Sequence, residues 1–278
     1  MPVSPDNLRT IGDGLHWLGG CQQRIRAGSE IHGHSSTFLI QGQSKSLLVD
    51  TGHSAHWAVV EAALDEVLGD GALDYVMPTH TEYPHAGNLQ RLLRKYPGLQ
   101  VVGDIRDYHL YYPDLYVTGR FHAFQPGDTM DLGGRTYMFR TALLRDLPNT
   151  FWGYDTLTQT IFVSDGFAYA HQHGVGECRL TSSEYDPGPN EQYAVLSNET
   201  ALFWPKYVDT AEFWPQFEAD LLEYPISLIA PAHGGVIDTP DRMTQLLKGV
   251  FDEMRRKGLE EIASQQPSNE GQDSLDLA

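Results

Sequence analysis

The sequence contains little cysteine. Cys21 and Cys178 are its two cysteines among 278 residues, and they stand far apart along the chain. Disulfide frameworks need several pairs, and thiolate zinc sites usually show closely spaced cysteines. The sequence therefore indicates neither kind of site, and both cysteines are expected to be ordinary reduced thiols.

Positive charge and long apolar runs are also scarce. Lys and Arg together number 19 against 37 Asp and Glu, which gives a formal net charge of -18. Such a charge repels nucleic acid and anionic lipid. No apolar run approaches the roughly 20 residues that cross a bilayer, and the first residues lack the features of a secretory signal. We expect a cytoplasmic protein with no nucleic-acid or membrane partner.

The composition is otherwise that of a globular protein, with 41% hydrophobic and 11% aromatic residues. No linker rich in proline, serine and glycine divides the middle of the chain. A single domain is predicted over residues 1–263. The polar segment 264–278 is expected to be a disordered tail.

Strand and helix patterns alternate in the first half, which is typical of layered α/β folds. Strands are predicted at 36–40, 46–50, 74–78 and 99–102, with helices at 55–68 and 85–96. The tyrosine-rich segment 105–124 interrupts the alternation and is interpreted as an inserted cap.

The second half begins as a strand meander and ends with helices. Strands are predicted at 129–140, 149–154, 158–164 and 226–230, and helices at 211–223 and 240–263. Residues 166–210 show no clear period and are interpreted as a long functional loop region with short helices.

Potential metal ligands follow several of the predicted strands. The segment His80-Thr-Glu82-Tyr-Pro84-His85 comes after one apolar run, and Asp146, Asp165 and His233 each come after another. Strand ends that face one edge of a sheet commonly build a site, so a metal centre is predicted. No glycine-rich phosphate loop, nucleophile elbow or Ser-His-Asp arrangement is evident, and no catalytic residue is predicted beyond the metal ligands.

These motifs resemble the metallo-β-lactamase fold superfamily over nearly the whole chain. Val49-Asp50-Thr51-Gly52, the segment His80 to His85, Ser164-Asp165-Gly166 and Pro231-Ala232-His233-Gly234 occur in the family's order. The resemblance implies an α/β fold, a four-layer αββα sandwich with aromatic-rich insertions and a dinuclear metal site at one edge of its paired sheets.

The resemblance also implies a ligand set, in which His80, Glu82 and Asp146 bind one metal, His85 and His233 bind the other, and Asp165 bridges them. Hydrolytic zinc members usually have His in place of Glu82, whereas flavodiiron proteins and their oxygen-binding relatives have Glu. Asp146 stands where those proteins usually have His. Carboxylate-rich sites suit iron or manganese better than zinc. Two iron ions are therefore expected, with zinc or manganese as alternatives.

Pro84 occupies the position of an Asp ligand in the family, and proline cannot bind a metal through its side chain. The second metal would then have an open coordination position or be bound weakly, and Pro84 would also suit the start of a helix. His53, His171 and His173 are candidates for a substitute ligand. Asp50 resembles the family's structural Asp, which orients neighbouring ligands by hydrogen bonds.

Three functions are compatible with these motifs. Flavodiiron proteins reduce dioxygen or nitric oxide through a fused flavodoxin domain, for which 278 residues leave no room, so electrons are expected from the substrate or an external donor. The first hypothesis is a diiron, O2-activating oxidoreductase of the oxygenase type that acts on a small organic substrate. A metal-dependent hydrolase of an ester, thioester or lactone is the second, and a non-catalytic diiron oxygen sensor is the third.

Aromatic residues are concentrated in the insertions. They would suit the wall of an organic-substrate pocket, the packing of the insertions or the interface of a homo-oligomer, and the sequence leaves these alternatives open. The residues concerned are Tyr108, Tyr111, Tyr112, Tyr116, Phe121, Trp152, Tyr154, Phe203, Trp204, Phe213 and Trp214.

Overall fold

A computed structural model describes residues 8–26, 28–186 and 188–265. The last helix ends at Gln265, so the tail predicted for 264–278 lies almost wholly outside the described residues. Among the described residues, no helix combines the length and the apolar character that a membrane span requires.

The first sheet has seven strands, in the same order in space as along the chain. The first four strands pair antiparallel, and the fourth to the seventh pair parallel. Its strands are β1 (Arg9–Gly12), β2 (Leu15–Arg26), β3 (Ser29–Gln41), β4 (Ser46–Val49), β5 (Tyr75–Met77), β6 (Gln100–Gly103) and β7 (Phe121–Ala123).

Parallel neighbours need crossover connections, and helices supply them. Between β4 and β5 lies α1 (Trp57–Leu68), which ends at Gly69. Two short helices connect β5 to β6, and two more connect β6 to β7. They are α2 (Tyr83–Ala86), α3 (Leu89–Lys95), α4 (Tyr108–Tyr111) and α5 (Pro113–Tyr116).

The second sheet has five strands in the order β12-β11-β10-β9-β8. All its pairs are antiparallel except β11 with β12. The strands are β8 (Thr129–Asp131), β9 (Thr136–Thr141), β10 (Phe151–Asp155), β11 (Thr160–Phe162) and β12 (Leu228–Ala230), and the helices of this half are α6 (Glu191–Ala201), α7 (Phe213–Leu222) and α8 (Pro240–Gln265).

Three buried apolar clusters lie between four layers. Trp17 and Phe38 of the first sheet meet Phe139 and Phe162 of the second. A second cluster joins the outer face of the first sheet to α1 and α3, and a third joins the second sheet to α6, α7 and α8. Burial of this apolar area is the main stabilising contribution to folding. The predicted αββα sandwich is confirmed.

Two sequence predictions need correction. The helix predicted over 85–96 is interrupted at Gly87 and Asn88, because the Asn88 side chain donates hydrogen bonds to the carbonyls of Thr51 and Gly52 at 2.8 and 3.1 Å. The segment 105–124 is not only a cap, since its last residues form β7 and extend the first sheet. A strand of three residues is too short to show a period in the sequence.

Candidate metal centre

The predicted ligands meet at one edge of the two sheets. His80 and Glu82 follow β5, Asp146 lies between β9 and β10, and Asp165 follows β11. His80 Nε2 lies 3.8 Å from a Glu82 carboxylate oxygen, 3.6 Å from Asp146 Oδ2 and 3.9 Å from Asp165 Oδ2. Strand ends thus deliver the first group of donors.

Asp165 faces a second group of donors as well. Its Oδ1 lies 3.2 Å from His85 Nε2 and 3.2 Å from Nε2 of His233, which follows β12. Its Oδ2 is turned toward His80. One carboxylate therefore presents a different oxygen to each group, which is the arrangement that a bridging ligand requires.

The donors fit metal ions in distance and in hydrogen bonding. Two atoms that each lie about 2.1 Å from one ion cannot be more than about 4.2 Å apart, and every separation above is shorter. His80 Nε2, His85 Nε2 and Asp165 Oδ1 are buried and have no hydrogen-bond partner in the described part of the chain. Since buried polar atoms are normally partnered, these three need a ligand that the protein itself does not provide.

The imidazoles are oriented by contacts at Nδ1. His85 Nδ1 donates to Asp50 Oδ2 at 3.1 Å, and His233 Nδ1 donates to the carbonyl of His34 at 2.8 Å. His80 Nδ1 lies 3.0 Å from Ser164 Oγ. Protonation at Nδ1 leaves the Nε2 lone pair free to bind a metal, as in other histidine metal sites.

Asp50 is positioned by an unusual backbone. Its φ is 59°, a left-handed conformation that Asp tolerates better than most residues, and the residue is 2% exposed. Asp50 Oδ1 accepts from the Thr79 amide at 2.6 Å, and Oδ2 accepts from the Thr79 hydroxyl at 3.2 Å. The expected orienting role of Asp50 agrees with these contacts.

The carboxylates of the buried Asp165 and the partly buried Asp146 respond differently to their surroundings. Burial alone would raise the pKa of Asp165, but the imidazoles of His85, His233 and His80 outweigh it and hold this pKa below its ordinary value. Burial raises the pKa of Asp146, and the nearby Asp165 carboxylate raises it further. Bound cations would relieve this repulsion between neighbouring carboxylates.

Pro84 lies in the first turn of α2, the helix that carries His85, which confirms its interpretation as a helix start. It also lines a cavity of about 210 Å³ together with Glu82, Asp165 and His233. This position, where the resemblance to the family implies an Asp ligand, is therefore open toward the cavity.

The candidates for a substitute ligand lie elsewhere. His53 Nδ1 accepts from the Ala55 amide at 3.1 Å and caps a short 3-10 turn. His171 is buried and stacks on His34, with ring centroids 4.9 Å apart. His173 contacts Cys21 and is outside both groups of donors in the described chain.

The aromatic residues of the insertions mostly serve packing. None of the eleven lines the cavity at the centre. Trp152, Tyr154 and Trp214 are buried in the cluster between the second sheet and α6–α8, and Trp204 and Phe213 pack against this cluster. Tyr108, Tyr112, Tyr116 and Phe121 belong to the cluster on the first sheet, while Tyr111 and Phe203 are exposed.

Sequence analysis missed several residues that hold the ligands, among them Thr79, Ser164 and His34. Thr79 and Ser164 directly precede His80 and Asp165, so their positions could have drawn attention to them. Ser164 also has a left-handed backbone, with φ 52°. His34 acts through its backbone carbonyl, for which its side chain provides no signal.

The paired sheets, the flanking helices and the histidines and carboxylates at one sheet edge define an αββα fold with a candidate dinuclear metal centre. A family model described as the metallo-beta-lactamase superfamily matches residues 31–197. The chain belongs to the metallo-β-lactamase superfamily.

Relatives place it near flavodiiron proteins within that superfamily. It is 26% identical to "Coenzyme F420H(2) oxidase" of Methanocaldococcus jannaschii over 83% of this chain and 57% of the relative. It is 26% identical to "Anaerobic nitric oxide reductase flavorubredoxin" of an Enterobacter species over 85% of this chain and 49% of the relative. The chain thus spans about half the length of these curated relatives.

Solved structures agree in fold. Rubredoxin oxygen:oxidoreductase from Desulfovibrio gigas superposes with a TM-score of 0.71 at 17% identity, over 94% of this chain and 63% of that one. The flavodiiron protein from Giardia intestinalis gives a TM-score of 0.65 at 18% identity, over 90% of this chain and 59% of that one. The expected resemblance to flavodiiron proteins is confirmed.

Proposed function

We propose that this chain holds a dinuclear iron centre and reduces dioxygen or nitric oxide with electrons from an external donor. The observation that carries the proposal is Asp165, whose two oxygens face separate donor groups. The names of the relatives, an oxidase and a nitric oxide reductase, support the reaction class.

The donor set suits iron. One ion would be held by His80, Glu82 and Asp146, and the other ion by His85 and His233. Asp165 would bind both ions. The three carboxylates of this donor set offset three of the four positive charges of a ferrous pair. Hard oxygen donors also favour the oxidised state of the iron. When bound, the iron pair would supply the electrons and the binding place for a diatomic gas.

Residues around the pair would shape access to it. Asp50, Ser164 and the His34 carbonyl hold the three imidazoles in place. Pro84 contributes no donor on the side that faces the cavity, and this leaves room for a small ligand.

An organic substrate has less support than a diatomic gas. The cavity of about 210 Å³ is smaller than the roughly 300–1,000 Å³ of typical sites for drug-sized molecules. The aromatic residues that would have walled it are packed elsewhere, and neither relative is named for hydroxylation. A hydrolase would use the same fold with metal-bound hydroxide.

Metal analysis with turnover measurements tests the proposal. We expect about two irons per chain, a charge-transfer band when the anaerobic ferrous protein meets O2, and continued consumption of O2 or NO with an artificial reductant. Gas binding without sustained consumption would support a sensor instead. Bound zinc, no spectral response and ester or lactone hydrolysis would overturn the proposal in favour of a hydrolase.

Glu82→Gln is expected to weaken iron binding in the first group while the fold is kept. The Glu82 side chain is 55% exposed, so its replacement buries no new polar group. Iron per chain should fall from about two toward one, with an unchanged thermal midpoint. Glu66→Gln, at an exposed position of α1, is the matched control. Full iron content in Glu82→Gln would exclude Glu82 as a ligand.

Asp50→Asn is expected to weaken metal binding by about 10- to 100-fold, the range found for groups that orient metal ligands. Asn tolerates the left-handed backbone, but its amide cannot accept from both Thr79 and His85 as the carboxylate does. His85 would then favour the tautomer protonated at Nε2, the atom that faces the centre. Competition with a chelator measures the affinity, and Asp70→Asn on the surface is the control. Equal affinities would show that Asp50 does not orient His85.

A further inference from the structure

A second cluster of potential metal ligands lies on the hairpin of β2 and β3. It contains Cys21, His32 and His173, whose donor atoms all lie within 4.8 Å of one another. None of these residues belongs to the metal centre described above. Their wide separation in the sequence hid the cluster from sequence analysis.

Strand pairing brings Cys21 and His32 together. Cys21 is opposite His34 in the antiparallel pair, and His32, two positions before His34 in β3, is opposite Gln23. Cys21 and His32 are therefore diagonal neighbours on one face of the hairpin, a spacing that long side chains can bridge.

Backbone pairing delivers His173 to the same face. The His32 amide donates to the His171 carbonyl at 2.8 Å, and the His171 amide donates back to the His32 carbonyl at 3.0 Å. The chain after Asp165 thus runs beside β3. His173 follows two residues after His171. Its ring is tilted against that of His32, with ring centroids 4.0 Å apart.

The other cysteine neighbours this cluster. The Cys178 thiol interacts with that of Cys21, but its sulfur lies outside the group of donor atoms that are all within 4.8 Å of one another. The carbonyl of Cys178 accepts a hydrogen bond of 2.6 Å from His34 Nε2, which fixes the backbone of this loop against β3. One sulfur and two imidazole donors therefore meet on this face, and the Cys178 backbone holds a second sulfur in the neighbouring loop.

We propose that Cys21, His32 and His173 bind a zinc ion and that the neighbouring Cys178 thiol moves onto this ion to complete a site of the Cys2His2 type. Cys21 Sγ lies 3.3 Å from His32 Nδ1 and 3.3 Å from His173 Nε2. Zinc bonds of about 2.3 Å to sulfur and 2.0–2.1 Å to nitrogen, at tetrahedral angles, place the two donors roughly 3.6 Å apart. Movements of a few tenths of an ångström would complete these two contacts.

The donor chemistry separates this site from the iron centre. Two thiolates and two imidazoles select zinc, whereas the carboxylate-rich centre favours harder ions. All four residues are partly exposed, so an ion can enter. The bound ion would tie the segment 173–178 to β3, whose His34 carbonyl holds His233 of the centre. Zinc would thus be structural, and the site does not depend on the proposed reaction.

Cobalt binding to the reduced full chain under anaerobic conditions tests the proposal. Co2+ is the probe because sulfur ligation gives a near-ultraviolet charge-transfer band that the sulfur-free iron centre cannot produce. We expect the band to saturate at one Co2+ per chain and to be displaced by Zn2+. Zn2+ should also raise the thermal midpoint, since an ion that binds the folded state stabilises it.

Variants assign the ligands. Cys21→Ser should abolish the band, Cys178→Ser should weaken it, and His32→Gln and His173→Gln should each lower Co2+ affinity at least tenfold. Glu82→Gln in the iron centre and His122→Gln at an exposed position should leave the band unchanged. His173→Gln tests the site even if a cysteine variant folds poorly, because His173 is a partly exposed loop residue.

Three results would overturn the proposal. The first is a fully reduced protein that shows no sulfur-to-cobalt band, and the second is a band that survives in Cys21→Ser. The third is a Cys21–Cys178 disulfide that persists in mild thiol reductant, because the pair would then be a covalent crosslink. Unchanged affinity in Cys178→Ser would overturn the Cys2His2 assignment in particular.

Discussion

Asp165→Asn should remove metal from both donor groups, with a loss of affinity of at least about 100-fold, beyond the range expected for groups that only orient ligands. Asparagine has almost the same shape but no charge. Its amide nitrogen would face either His80 or the pair His85 and His233, where a donor cannot bind a cation. Turnover of O2 or NO should fall below detection.

Asp146→Asn provides the comparison within the centre. Asp146 lies 3.6 Å from His80 Nε2, and its other oxygen accepts from the Thr150 hydroxyl at 2.9 Å. Its replacement should therefore affect the first group alone and leave about one iron per chain.

Elemental analysis after dialysis measures both variants, and Asp252→Asn on the exposed face of α8 controls for the loss of one negative charge. Two irons retained in Asp165→Asn would mean that this carboxylate is not shared. Equal losses in the Asp146 and Asp165 variants would mean that the two groups bind metal as one cooperative unit.

The positions of the candidate ligands could be predicted because each is tied to a local pattern. A short apolar run marks each strand, and the polar residue after it is carried to the sheet edge. The structure brings His80, His85, Asp165 and His233 together in the manner expected from the sequence. Their separations and the division of Asp165 between two groups depend on the packing of both sheets, which no local pattern contains.

Interactions between distant segments account for what sequence analysis missed. The helix after His85 is interrupted because Asn88 bonds to carbonyls near Thr51, far away in the chain. Cys21 meets His173 only because a long hairpin and a later loop pair through His32 and His171. The aromatic residues were ambiguous because the same side chains suit a core or a pocket wall.

The ion pair of Arg135 and Asp155 is another contact that the sequence does not reveal. Both side chains are almost fully buried, at 2% and 0% exposure. Arg135 Nε donates to Asp155 Oδ1 at 3.0 Å, and Arg135 Nη1 donates to the carbonyls of Asp13 and Gln41 at 2.8 and 2.9 Å. The pair therefore links the second sheet to the first.

Asp155→Ala should lower the free energy of unfolding by about 3–5 kcal/mol, because it leaves the Arg135 charge buried without its partner. At about 2–4 °C per kcal/mol for a domain of this size, the thermal midpoint should fall by roughly 10 °C. Calorimetry measures the shift. Arg256→Met is the control, since it removes two exposed ion pairs on α8, with Glu253 and Glu260, and should leave the midpoint almost unchanged.

The double variant Arg135→Met, Asp155→Leu separates the strength of the pair from the cost of a lone charge. Replacing a buried pair with apolar side chains of similar size is often nearly neutral, whereas removing one partner is not. We therefore expect the double variant to be more stable than Asp155→Ala, although Arg135→Met also loses the bonds to Asp13 and Gln41. A double variant less stable than Asp155→Ala would show that the arginine's bonds between the sheets, rather than the ion pair, provide the stabilisation.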